Sequence, residues 1–196
     1  MSGPPSGAPR ILIVFASRTG RTRRMAEALA EGAREAGATV ELREAPDTTH
    51  DDLRACDALV VGSGVHMGGP AAPLRAFLGD TAPLWMKAEL RGKLGAAFCS
   101  AGDGARGGAE LALVSMLSTL AEQGMLLVPM HPRLAGFHDG GMHWGPVAHT
   151  QPPGGEPGPT AAQLVAAHSH GRWVAECAAR WRRGAPEASR KAPEPG

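Results

Sequence analysis

Ile11-Leu-Ile-Val-Phe-Ala-Ser-Arg-Thr-Gly-Arg-Thr22 runs straight into Arg23-Arg-Met-Ala-Glu-Ala-Leu-Ala30, and this stretch decides the fold. Ile11 to Ala16 is an unbroken apolar run, mostly branched. It fits a parallel strand buried on both faces. Ser17, Thr19 and Thr22 then supply hydroxyls, and Gly20 lets the backbone curl without a Cβ clash. A helix that starts here presents unpaired N–H groups and the positive end of its dipole to the turn. Strand, hydroxyl loop and helix start together make a seat for a phosphate group. The same hydroxyls also suit an ordinary helix cap.

Outward from that stretch, apolar runs alternate with helical patterns. The first helix is expected over about 22–36, with Met25, Leu29 and Ala33 as its buried stripe and Gly37 as its stop. Residues 39–43 alternate as a short strand, and a brief helix covers about 51–56. Buried strands are expected at 58–63 and 94–100, each followed by a glycine-rich loop (64–70 and 101–108). A helix passes through Leu74, Phe77 and Leu78. A long one carries Leu111, Val114, Leu117, Leu120 and Ala121 as its stripe. Residues 125–130 read as the last strand and 131–159 as an irregular insertion, too long for a passive connection. The final helix runs over about 160–183, with Leu164, Val165, Trp173 and Val174 apolar. This alternation predicts an α/β fold: a doubly wound, five-stranded parallel sheet of order 2-1-3-4-5, with a long loop insertion after the last strand. Ligands of such sheets bind beyond the carboxyl ends of the strands, where the glycines and hydroxyls cluster here.

Composition narrows the function. The 196 residues suit one domain, expected over 11–183, with loose tails at 1–10 and 184–196. The net charge of +1 indicates neither a nucleic-acid partner nor an acidic membrane surface. No apolar run is long enough for membrane insertion, and the start of the chain lacks a secretory pattern. Cys56, Cys99 and Cys177 lie far apart and read as reduced core thiols of a cytoplasmic protein.

The spacing Ser-x-Thr-Gly-x-Thr at 17–22 resembles the phosphate loop of flavodoxins and lacks the Gly-Lys-Ser/Thr of a Walker loop. Several segments are together similar to the WrbA family of flavodoxin-like NAD(P)H:quinone oxidoreductases. They are the phosphate loop, Asp57-Ala-Leu-Val-Val-Gly62, Leu74-Arg-Ala-Phe-Leu-Gly-Asp-Thr-Ala-Pro-Leu-Trp85, Leu90-Arg-Gly-Lys-Leu94, Gly124-Met-Leu-Leu-Val-Pro129 and Gly140-Gly-Met-His-Trp-Gly145. The resemblance implies FMN as cofactor and NAD(P)H as electron donor. It also implies a quinone-type substrate reduced by two electrons through flavin N5, and a homotetramer built as a dimer of dimers. By position, Ser17, Arg18, Thr19, Gly20, Arg21 and Thr22 would hold the FMN phosphate. Gly64, Val65 and His66 would line the flavin ring. Ser100, Ala101, Gly102, Asp103, Gly104 and Ala105 would form the third FMN loop. Trp85 would reach a neighbouring subunit's flavin and wall the substrate pocket. The chain departs from the family in its ring loop, where His66 and Met67 replace an Arg and an aromatic. It departs again at Glu122, where the family has a His expected near the flavin's pyrimidine edge.

Other features point elsewhere. Gly102-Asp-Gly-Ala-Arg-Gly107 matches a dinucleotide fingerprint, but after the wrong strand of the unit. The eight histidines show no metal-ligand spacing; His131 and His143 are candidates to face the pocket and hold a quinone oxygen. Trp85 and Trp144 are expected near its mouth. Two alternatives stand beside the enzyme. One is a one-electron flavodoxin shuttle, which the near-neutral charge disfavours. The other is a divergent member with weak or lost FMN binding that acts as a binding or regulatory partner.

Overall fold

The computed structural model describes residues 7–102, 108–150 and 157–184. Of the expected tails at 1–10 and 184–196, residues 1–6 and 185–196 lie outside the described residues, as do Asp103, Gly104 and Ala105, and Gly184 is the last residue of a helix. Residues 7–10 are not the loose segment expected of them. Pro9 is buried, its carbonyl accepts the amide of Thr39 at 2.9 Å, and Arg10 opens the first strand.

Parallel strands β1 (Arg10–Ala16), β2 (Thr39–Glu44), β3 (Ala58–His66) and β5 (Leu94–Ala101) form the centre of the sheet. They stand in the order β2-β1-β3-β5, with Ile13 opposite both Leu42 and Val60, and Val60 opposite Ala96. The expected order is therefore borne out. Ile11 to Phe15 are at most 2% exposed, as a strand covered on both faces requires.

The fifth position differs from the single strand expected at 125–130. The chain enters it as β6 (Leu126–Leu127), beside Leu94 and Gly95 at the amino end of β5. Val128 still donates to the Gly95 carbonyl, at 2.8 Å. Pro129 has no N–H to continue the ladder, and the chain leaves the sheet there. It makes α6 (Phe137–Gly140) and β7 (Gly141–Met142), then returns as β8 (Gly145–His149) beside Cys99, Ser100 and Ala101. The insertion thus divides the last strand in place of following it. Gly145 is required at the point of return: its φ is 142°, and a Cβ there would stand 2.0 Å from the Ala97 carbonyl oxygen.

Helices cover both faces. On one lie α2 (His50–Ala55), α3 (Ala72–Gly79), α4 (Ala82–Met86) and α5 (Gly108–Glu122), meeting Leu12, Val14, Leu59 and Val61. On the other, α1 (Arg21–Glu35) and α7 (Ala161–Gly184) cover Ile11, Ile13, Phe15, Val60 and Phe98. Within α5 the expected stripe is wrong at one edge. Leu111 is 64% and Val114 42% exposed, whereas Leu113, Met116, Leu117 and Leu120 are buried. The helix is apolar on nearly every side, so periodicity alone did not select its inner face.

Candidate functional site

Three loops converge at the carboxyl ends of β1, β3 and β5. Gly20 takes a left-handed conformation (φ 79°) as N-cap of α1 and has no side chain of its own to cap that end. Ser17 Oγ accepts the amide of Arg23 at 3.2 Å, and the Gly20 carbonyl accepts that of Arg24 at 3.0 Å. The amides of Arg21 and Thr22 have no acceptor among the described residues. Two open donors at a helix start, with Arg21 beside them and Arg18 in the loop just before, form an anion seat. Arg23 does not add to it: its guanidinium pairs with Glu44 and lies 5.1 Å from the centre of the Phe15 ring.

Thr22 is 2% exposed, and its hydroxyl meets that of Ser100 at 2.8 Å. This bond ties the phosphate loop to the end of β5. Gly64, at the equivalent height on β3, completes the trio. A Cβ on Gly64 would stand 3.7 Å from Thr22 Oγ1 and 3.3 Å from Nε2 of His66. The missing side chain is what leaves a cradle between them. The structure thus brings together Thr22, Gly64 and Ser100, all three named in the sequence analysis.

The rest of the ring loop is better ordered than expected. Residues 65–70 form a tight hairpin in which β4 (Gly69–Pro70) pairs back onto Val65 and His66. Its turn is Met67-Gly68, both at positive φ (50° and 77°), the twist that two-residue hairpins favour. Ser63 braces the hairpin from below, accepting the Ala71 amide and donating to the Gly64 carbonyl, both at 2.8 Å. The His66 imidazole consequently folds back over Gly64, while Met67 stands wholly in solvent.

Other expectations are corrected. The Ala101 carbonyl, expected in the third FMN loop, accepts both the amide and the hydroxyl of Thr150, at 2.7 and 2.9 Å. Ala101, like Ser100, is thereby strand rather than loop, and beyond the strand only Gly102 of that segment is among the described residues. Thr150 also accepts from the Arg21 guanidinium at 3.2 Å, so the return of the insertion steadies the anion seat. Nothing in the sequence marked Thr150, which sits in a stretch without periodicity. Trp85 is 51% exposed on α4 and does not reach the crevice of its own chain. Its helix is fixed near the amino ends of the strands, where Gln123 donates to Thr81 and Arg54 pairs with Glu89. Glu122, at the foot of α5, is at that same far end and meets no pyrimidine edge within one chain. His143 packs on Phe137, ring centres 5.3 Å apart, and His131 lines a separate groove. The dinucleotide fingerprint at 102–107 lies almost wholly outside the described residues. No cluster of metal-ligating side chains occurs among the described residues.

The cysteines are not nucleophiles for this site. Burial pushes the Cys99 thiol up to about 12 and the Cys56 thiol up to about 11, so neither is a thiolate at neutral pH. What the crevice offers is backbone amides, the hydroxyls of Thr22 and Ser100, the Arg21 guanidinium and the His66 imidazole over Gly64. That set binds and orients an anionic group.

A flavodoxin domain model matches residues 12–124 of the chain. An NAD(P)H dehydrogenase (quinone) of Paraburkholderia phymatum is 34% identical over 199 residues, covering 87% of this chain and 98% of that one. Another from Rhodopseudomonas palustris is 33% identical over 194 residues, covering 86% and 96%. Among solved structures, the flavodoxin, WrbA-like protein from Agrobacterium tumefaciens superposes with a TM-score of 0.70 at 25% identity, covering 88% of this chain and 99% of that chain.

Proposed function

Because this chain belongs to the flavodoxin-domain family and to the NAD(P)H dehydrogenases (quinone) within it, we propose that it is an FMN-dependent NAD(P)H:quinone oxidoreductase. The observation that carries the reading is the meeting of Thr22, Gly64 and Ser100 above two open amides of α1. When bound, FMN would accept hydride from NAD(P)H at N5 and pass two electrons to a quinone.

The residues present fit that group at its phosphate end. The amides of Arg21 and Thr22 would donate to a terminal phosphate, with Arg18 and Arg21 supplying opposite charge. Thr22 and Ser100 share one hydroxyl–hydroxyl bond, so one proton stays free to donate into the crevice. Gly64 keeps the floor clear. The hairpin at 65–70 would hold His66 at the ring, in place of the family's Arg. The apolar outer faces of α4 and α5 support the tetramer, and buried free thiols support a cytoplasmic setting. No helix among the described residues is long and apolar enough to cross a membrane.

One observation favours the alternative of weakened FMN binding: the His66 imidazole leans into the cradle that a flavin would share. A titration separates the two. FMN added to the purified protein should bind and be bleached by NADH or NADPH without oxygen, then recover its colour with a quinone. Thr22→Val should weaken FMN binding about tenfold, the loss of one hydrogen bond to a charged group, while Thr22→Ser should retain it. Protein that stays colourless with added FMN would overturn the reading.

A further inference from the structure

A second concave site lies at the other end of the molecule. Leu94, the first residue of β5, sits there beside Leu127, Val128 and Pro129 of the divided strand. Trp173 and Trp181 of α7 and Leu134 of the insertion close a groove of about 740 Å³. That volume is in the range of small-molecule sites. The crevice described above opens at the carboxyl ends of the same strands, so the two share no residue. The divided strand is what creates the groove. Where β5 would meet a full-length neighbour, the chain turns away at Pro129 and leaves Leu127 39% and Trp181 49% exposed.

The polar side chains of this groove are of one kind. Arg133, Arg180 and His131 line it, and among the described residues no carboxylate does. Arg133 is exposed, and its guanidinium has no hydrogen-bond or ion-pair partner among the described residues. Arg180 lies over the Trp173 ring at 5.2 Å and reaches Glu176 only at 3.8 Å. His131 accepts the Arg133 amide on Nδ1 at 3.2 Å, which leaves Nε2 to donate outward when the ring is neutral. An apolar floor beneath three N–H donors is complementary to a molecule with an apolar body and one anionic head. A guanidinium suits a carboxylate in particular, because its fork matches the two oxygens. A second copy docked about a two-fold axis fits worse, since it would set Arg133 and Arg180 against their own equivalents.

We propose that this groove binds a small apolar carboxylate, aliphatic or aromatic, with its body along Leu127, Leu134 and Trp181 and its head on Arg133 and Arg180. The site is independent of the flavin reading and stands whether or not FMN binds.

Cys177 provides the readout. It lines the groove and is partly exposed, whereas Cys56 and Cys99 are buried. Alkylation by N-ethylmaleimide, a neutral reagent, followed by peptide mass analysis reports Cys177 alone. Decanoate, below its micellar concentration, should slow that labelling saturably by about tenfold or more. Decyltrimethylammonium, with the same chain and the opposite charge, should not. Arg133→Glu changes an exposed side chain and leaves the core intact. It should weaken decanoate protection about tenfold or more, as loss of a charge-assisted bond does, and Arg133→Lys should restore part of it. Equal protection by both amphiphiles, or by neither, overturns the proposal. So does a labelling rate that falls with protein concentration, which would mark a second copy as occupant. A Cys177 that reacts only in denaturant would show the groove closed by the protein itself, with the same consequence.

Discussion

His170 is fully buried on α7 and places Nε2 3.1 Å from the Val128 carbonyl. A carbonyl only accepts, so Nε2 carries the proton, and Nδ1 is left buried without a partner. The bond pins the root of the insertion to the last helix. Burial pushes the imidazole down to about 4, against about 6.5 for a free one. As acid is added, the unfolded chain therefore takes up a proton that the native chain refuses. This contribution to stability is whole above about pH 6.5 and falls by up to ~1.4 kcal/mol per pH unit below that. The fall ends near pH 4, where the native ring titrates as well. Urea unfolding at pH 7, 6 and 5 should show the decline in the parent. His170→Gln keeps a donor for Val128 and removes the titration, so its curve should be flatter over the same window. Parallel curves would mean that the ring is hydrated and titrates normally.

At the scale of elements, α1 and α7 touch backbone to backbone. A Cβ on Gly171 would stand 2.0 Å from the Leu29 carbonyl oxygen, and one on Gly32 2.0 Å from that of His168. Their shared face is made of small residues, among them Ala26, Ala30, Ala33, Ala167, Ala175 and Ala178. Gly171→Ala should cost about 3 kcal/mol by overpacking, although alanine is the better helix former by about 1 kcal/mol. Gly79→Ala, at the open end of α3 with nothing within 4 Å, should change little. Chemical denaturation of both variants checks the pair. The same contact shows why sequence reading reached β1 and placed α7 along the chain but did not find the inner face of α7. A strand buried on both faces announces itself as a branched apolar run, and Ile11 to Ala16 did so. A helix that packs by close approach hides its inner face in Ala, Gly and one His, while Val165, its conspicuous apolar residue, is 45% exposed. The division of the last strand was hidden for a related reason. Gly145 and Pro146 read as turn residues, yet Gly145 is where the backbone must pass the Ala97 carbonyl. Of the candidate site, Thr22 was legible in its hydroxyl loop after a buried strand, whereas Gly64 and Ser100 were reached through the family resemblance. Thr150 was not, since its role depends on a pairing 49 residues away in sequence.

The whole molecule leaves one helical layer apolar on its outside. Trp85 is 51%, Met86 79%, Leu111 64% and Val114 42% exposed, all on α4 and α5. Scattered apolar residues are ordinary on a protein surface, but Leu111 and Val114 on adjacent turns of α5, and Trp85 and Met86 side by side on α4, make two exposed apolar patches. The core does not need them, since Leu113, Met116, Leu117 and Leu120 already fill the inner side of α5. Patches of this kind bury themselves most simply against a symmetric copy. Such packing would also give the exposed Trp85 a role that it lacks within one chain, as a side chain lent to a neighbour's crevice. Light scattering should therefore find an oligomer, a tetramer if two kinds of face are paired. Leu111→Glu with Val114→Glu should reduce its mass to a dimer or monomer while leaving the far-ultraviolet circular dichroism unchanged, because neither side chain contributes to the core. If FMN affinity falls in the dissociated variant as well, the neighbouring copy completes the site. If affinity holds while quinone turnover is lost, the neighbour supplies only the wall against which the substrate rests. A parent protein that runs as a monomer at all concentrations would remove both roles and leave the apolar patches without an occupant.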